Sequence, residues 1–185
     1  VVNLDSSPAF FNWTIDTSPP TTSIDSVVDN NRNSLTNESS TRSNSITFTF
    51  SGTDAGEAEI SQFECSFDNS DFVMCTSPFG LPIVSDGSHT FSVRAQDNSG
   101  NKDATAELFT WNVDTTPPPA NIDSAMDGNN STVPNGSNTT STSIAFTFSG
   151  ADIGVGLDHF ECSIDGASFT LCNSPVQFQS LPDGS

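Results

Sequence analysis

Positive charge is almost missing from this sequence. Its 185 residues include 4 Lys and Arg against 23 Asp and Glu, a formal net charge of −19. A chain this acidic repels the nucleic-acid backbone and has few basic groups to displace its counterions, so nucleic acid and anionic membrane surfaces are excluded as natural partners. Long apolar runs are lacking too. No stretch approaches the roughly 18 residues that cross a bilayer, so no membrane insertion is expected within this segment. The opening VVNLDSSPAFF has neither a basic n-region nor a cleavage signal, so targeting signals are expected to lie elsewhere. No stretch has a helical period, and no nucleophile, base and orienting group recur together. His89 and His159 fall at unmatched positions and read as ordinary surface or strand residues. The expectation is a protein that is not an enzyme.

What is present argues for a folded chain. Disordered acidic sequences are poor in aromatics, whereas 15 Phe and 2 Trp recur here at regular places. The regularity is an internal repeat. SITFTFSGTDAG at 45–56 returns as SIAFTFSGADIG at 143–154, an offset of 143 − 45 = 98. FECSFDNSDFVMCTSP at 63–78 returns as FECSIDGASFTLCNSP at 160–175, and FFNWTIDTSPP at 10–20 as LFTWNVDTTPP at 108–118. A fixed period of this kind marks an array of similar units. On it, residues 1–17 read as the closing strand or strands of a preceding repeat, 18–116 as a complete repeat, and 117–185 as a repeat lacking its last two strands. Two readings follow for how such a chain is completed. In one it is a section of a continuous array. In the other, residues 8–16 complete a neighbouring subunit by strand exchange. Strand exchange would supply one strand but not the HTFSVRAQD strand, so the array is favoured.

Within the complete repeat, short alternating segments are separated by turn residues, the pattern of antiparallel strands with one buried face. Ile46, Phe48 and Phe50 alternate with Thr and Ser, and Phe63, Cys65 and Phe67 share a face. Phe91, Val93 and Ala95 follow, then Phe109, Trp111 and Val113. Trp13 and Trp111 alternate with Phe11 and Phe109, which assigns both to a core face rather than to a sugar-binding platform. About seven strands per unit suggest a Greek-key sandwich. TSPPTT at 17–22 and TTPPPA at 115–120 read as short, stiff Pro-rich linkers, each followed by a long polar loop rich in Asn and Ser.

The motifs FECSFDN, CTSP, DGSHTFSVRAQDNSGN and LFTWNVDTTPP together carry a family resemblance. The chain resembles the immunoglobulin-like repeats of long prokaryotic surface proteins, of adhesin, stalk or surface-filament type. The resemblance implies an all-β protein of tandem immunoglobulin-like β-sandwiches joined by Pro-rich linkers, and brings no catalytic residues with it.

Three sets of residues carry candidate chemistry. Cys65 and Cys75, like Cys162 and Cys172, are ten apart and flank a tight turn, which predicts a local disulfide in each unit and an oxidising compartment. Two Cys per unit with scattered His give too few ligands for structural zinc. Asp16, Asp25 and Asp29 surround one linker, and Asp114, Asp123 and Asp127 the next, while Asp54, Asp97 and Asp152 sit in loops. Carboxylates converging at a junction could bind calcium and stiffen the joint. The alternative is that these Asp residues form turns and solubilise the surface. Asn-x-Ser/Thr sequons begin at Asn12, Asn37, Asn129, Asn130, Asn135 and Asn138. All but Asn12, which falls in a strand, are expected to be exposed glycosylation sites.

The function expected from these features is that of a structural module in an extracellular cell-surface filament, stalk or envelope layer. Its partners would be neighbouring repeats or subunits of the same protein. The alternative is an adhesin whose loops bind a glycan or protein receptor, in which case an exposed aromatic patch or a calcium-bridged site is required.

Overall fold

The computed structural model describes residue 7 and residues 9–56, 58–152 and 154–184. Of the expected closing segment 1–17, residues 1–6 and 8 therefore lie outside the described residues, as does Ser185. The protein is all-β, with no helix among the described residues. It divides into two compact units, Val1–Val113 and Asp114–Ser185.

The first unit contains β1 (Thr21–Asp29), β2 (Ser39–Thr41), β3 (Ile46–Thr53), β4 (Ile60–Phe67), β5 (Val73–Cys75), β6 (Phe79–Leu81), β7 (Gly87–Asp97) and β8 (Glu107–Val113). They form a three-stranded sheet in the order β1-β3-β6 and a five-stranded sheet in the order β2-β8-β7-β4-β5. Alternation decides which side chains meet between the sheets, because successive residues of a strand point to opposite faces. In β3, Ile46, Phe48 and Phe50 are buried. In β7 the buried set is Phe91, Val93 and Ala95, and in β8 it is Phe109, Trp111 and Val113. Phe48 stacks on Phe91 with ring centroids 4.1 Å apart and also meets Trp111 at 5.3 Å and Phe109 at 5.8 Å. The two sheets thus pack as a β-sandwich around an aromatic centre. Each such side chain removed from water contributes roughly 1.5–3 kcal/mol.

Three aspartates are buried in this unit, and each is met by donors. Asp103 accepts from Thr22 N and Oγ1 at 2.8 and 2.7 Å, tying β1 to the loop before β8. Asp29 accepts from Asn31 N, Asn33 N, Asn33 Nδ2 and Thr41 Oγ1. Asp97 does the same for Ser99 N, Asn101 N and Asn101 Nδ2. His89, expected as an ordinary strand residue, lies in β7 and is buried, its ring between Phe67 and Trp111. Its Nε2 donates to the Ser85 carbonyl and its Nδ1 lies 2.8 Å from Asp68 Oδ2.

The second unit contains β9 (Ala120–Asp127), β10 (Ile144–Gly150), β11 (Phe160–Cys162), β12 (Thr170–Cys172) and β13 (Val176–Phe178). Its sheets run β13-β10-β9 and β11-β12, matching β6-β3-β1 and β4-β5 of the first unit. Detail recurs as well. β1 is bulged between Ile24 and Ser26 and β9 shifts register opposite Thr147 and Phe148 of β10. Asp127 accepts from Asn129 N, Ser131 N and Thr139 Oγ1, as Asp29 does from its own loop. Counterparts of β7 and β8 are absent among the described residues, and the side chains those strands cover are half-buried here. Phe48 is 0% exposed, whereas its counterpart Phe146 is only partly buried.

Burial opposes ionisation of Asp29, Asp97 and Asp103, but the donors around them outweigh it and hold all three below the ordinary 3.8. The native state therefore binds fewer protons than the unfolded chain. Stability from these groups is fully present above pH 3.8 and is lost as pH falls through the depressed native values. Asp103→Asn removes an anionic acceptor from Thr22 and is expected to lower stability at pH 7 by about 1–3 kcal/mol. It should also flatten part of the acid limb below about pH 4, checked by urea denaturation across pH.

Candidate functional site

The strongest convergence of chemically active groups in the described residues is acidic. Oxygens of Asp16, Asp54 and Asp97 lie within 4.8 Å of one another. Asp16 ends the Phe–x–Trp–x–Ile segment ahead of Pro19 and Pro20, Asp54 follows β3, and Asp97 ends β7. Each carboxylate is fixed by a short-range donor: Ser18 N to Asp16 Oδ1 at 2.9 Å, Gly56 N to Asp54 Oδ1 at 2.7 Å, and the Ser99 and Asn101 amides to Asp97 Oδ1. The second oxygens of Asp16 and Asp54 are buried and have no hydrogen-bond partner. Gly56 packs so closely on Asp16 that a Cβ there would sit 2.7 Å from its Oδ1. In kind, three carboxylates are ligands for a hard cation.

The linker aspartates expected from sequence divide. Asp16 joins this group, but Asp25 is exposed on β1 and accepts from Ser51 Oγ at 2.9 Å. In the second unit Asp123 is held in the same way by Ser149 Oγ at 2.9 Å. Asp114 receives Thr116 N and Val155 N, close to Asp152, which receives Gly154 N. Asp97, expected in a loop, instead ends β7, and together with Asp54 it completes the group.

A second feature is apolar. Ile144, Phe146 and Phe148 of β10, with Phe160, Val176 and Phe178, line an open groove of about 880 Å³ in the second unit. Their counterparts Ile46, Phe48 and Phe50 are covered in the first unit by β7 and β8. Ile122 and Phe169 stand 71% and 68% exposed. Phe72, the counterpart of Phe169, instead lies under Arg94 of β7, 4.2 Å from the ring centroid. The segment before Asp16 has the mirror problem: Phe10, Phe11, Trp13 and Ile15 are 86%, 82%, 71% and 80% exposed. Trp13 was expected on a core face. Its sequence partner Trp111 is 1% exposed because β7 and β3 flank it, and no described strand pairs with the Trp13 segment.

Both Cys pairs form disulfides, Cys65–Cys75 and Cys162–Cys172, each with Cα atoms 5.8 Å apart across neighbouring antiparallel strands. Paired half-cystines with no free thiol suit an extracytoplasmic, oxidising environment. Among the sequon asparagines, Asn129, Asn130, Asn135 and Asn138 are exposed in the loop between β9 and β10. Asn12 is exposed in an irregular segment. Asn37 is also exposed, but its Oδ1 accepts from Thr110 N and Oγ1 at the flank of β8.

No protein-family model and no curated protein matches the sequence. Among solved structures, the chain is similar to the extracellular domain of a hybrid two-component system from B. thetaiotaomicron, at 13% identity and a TM-score of 0.42. The similarity covers 51% of this chain and 15% of that one. No helix among the described residues is long and apolar enough to cross a membrane.

Proposed function

We propose that this chain is a structural module of an extracellular cell-surface filament, stalk or envelope layer built from tandem immunoglobulin-like repeats. One observation carries the reading. The second unit rebuilds the first unit's three-stranded sheet, its register shift, its Cys-linked hairpin and its disulfide at the spacing of the sequence repeat. A chain that builds the same strand pairs twice at a fixed spacing is organised as a row of like modules. Phe11, Trp13 and Ile15 extend the same repeat, since they align with Phe109, Trp111 and Val113 of β8 at an offset of 98. Disulfide-pinned hairpins, Pro-rich connections and polar loops then supply stiffness and solubility, and the function lies in reach and assembly.

Electron cryo-microscopy of native cell surfaces tests this. The expected result is rows of sandwiches in which density for a Phe–x–Val–x–Ala strand and a Phe–x–Trp–x–Val strand closes every groove. Isolated modules with grooves occupied by a foreign glycan or peptide would contradict it and favour the adhesin reading.

A further inference from the structure

We infer that Asp16, Asp54 and Asp97 form a calcium site that clamps the Phe10–Ile15 segment to the unit that follows it. The inference rests on the site's own geometry and not on the assembly proposed above.

Three carboxylates brought together repel one another, and the repulsion grows as water is excluded. Two of their oxygens, Asp16 Oδ2 and Asp54 Oδ2, are buried with no donor aimed at them. Asp97 is 1% exposed and its carboxylate accepts from Ser99 N, Asn101 N and Asn101 Nδ2. A buried anionic oxygen without a donor is a costly arrangement, and a bound cation removes the cost. Arg94 and Lys102 are both committed to Glu64, at 2.8 and 2.7 Å.

Calcium fits the group in distance and chemistry. Ligand oxygens at about 2.4 Å from one ion stand at most about 4.8 Å apart, and these three oxygens satisfy that limit. Calcium also accepts irregular geometry from loops, whereas magnesium prefers a near-ideal octahedron with several retained waters. The remaining positions would go to water and main-chain carbonyls. The carbonyl of Asp16 is meanwhile held by Asn101 Nδ2 at 3.2 Å, so linker and loop already share one further bond.

Two of the three carboxylates recur one period later, Asp114 for Asp16 and Asp152 for Asp54. Asp114 lies against Gly154 as Asp16 does against Gly56. Thr116 N meets Asp114 Oδ1 as Ser18 N meets Asp16 Oδ1, and Gly154 N meets Asp152 Oδ1 as Gly56 N meets Asp54 Oδ1. Glycine at both places lets the backbone approach the linker carboxylate where any Cβ would collide.

The test is a calcium chloride titration of the chelator-stripped full chain, followed by calorimetry and thermal unfolding, with magnesium chloride as a parallel arm. Saturable calcium binding in the range of about 10⁻⁴–10⁻³ M typical of extracellular modules is expected, with a rise in Tm that magnesium does not match. Asp54→Asn and Asp16→Asn should each weaken calcium binding by about tenfold or more, since each removes one charged ligand. In chelator, the same variants should melt no lower than the parent, because like-charge repulsion has been relieved. That reversal separates a metal ligand from a merely structural carboxylate. Equal Tm shifts by calcium and magnesium would mean simple screening of an acidic chain and would overturn the site. So would variants that lose stability equally with and without calcium.

Discussion

The contact of β3 with β7 and β8 makes the core of the first unit. Phe48 is its centre, stacked on Phe91 and flanked by Phe109 and Trp111. With those strands present, two sheets enclose a dry interior, and polar groups drawn in at its margins, such as Asp103 and His89, are held by partners. The 114–185 unit forms the same Cys-linked hairpin and the same disulfide from closely similar local sequence. Local features therefore depend on local sequence, while burial in the first unit depends on strands brought from far along the chain.

The acidic junction follows from the same topology. Asp97 ends β7 and Asp54 directly follows β3, so the packing that closes the core also brings these carboxylates to one end of the sandwich. The linker adds Asp16. Core closure and charge accumulation are coupled, and a divalent cation at that end would join the linker to strands from both sheets at once.

Much of this was legible in the sequence. The alternation of Ile46, Phe48 and Phe50 with Thr and Ser specified a half-buried strand, and the ten-residue Cys spacing specified hairpins. The 98-residue period related the two units element by element. What could not be read was long-range placement. Asp16 and Asp25 are neighbours in sequence, yet the β1 strand carries Asp25 out to solvent, while Asp97, 81 residues beyond Asp16, comes within ligand distance of it. The one available signal was recurrence: Asp54 and Asp152 hold the same phase of the repeat beside a glycine. Trp13 and Trp111 show the same limit from the other side. The similar motifs FFNWTID and LFTWNVD give a Trp that is 71% exposed at 13 and one that is 1% exposed at 111, where Phe48 of β3 packs against it.

Native-state hydrogen exchange tests most directly whether the packing of β3 on β7 and β8 governs the stability of the first unit. β3 and β7 carry the stacked Phe48 and Phe91, whereas β2 and β5 are three-residue strands at the two edges of the five-stranded sheet. The account expects amides of β3 and β7 to exchange only by global unfolding of their unit, and those of β2 and β5 to exchange through far smaller openings. Protection of β3 no greater than that of β2 and β5 would contradict it, since the aromatic contact would then not be the last part of the unit to open.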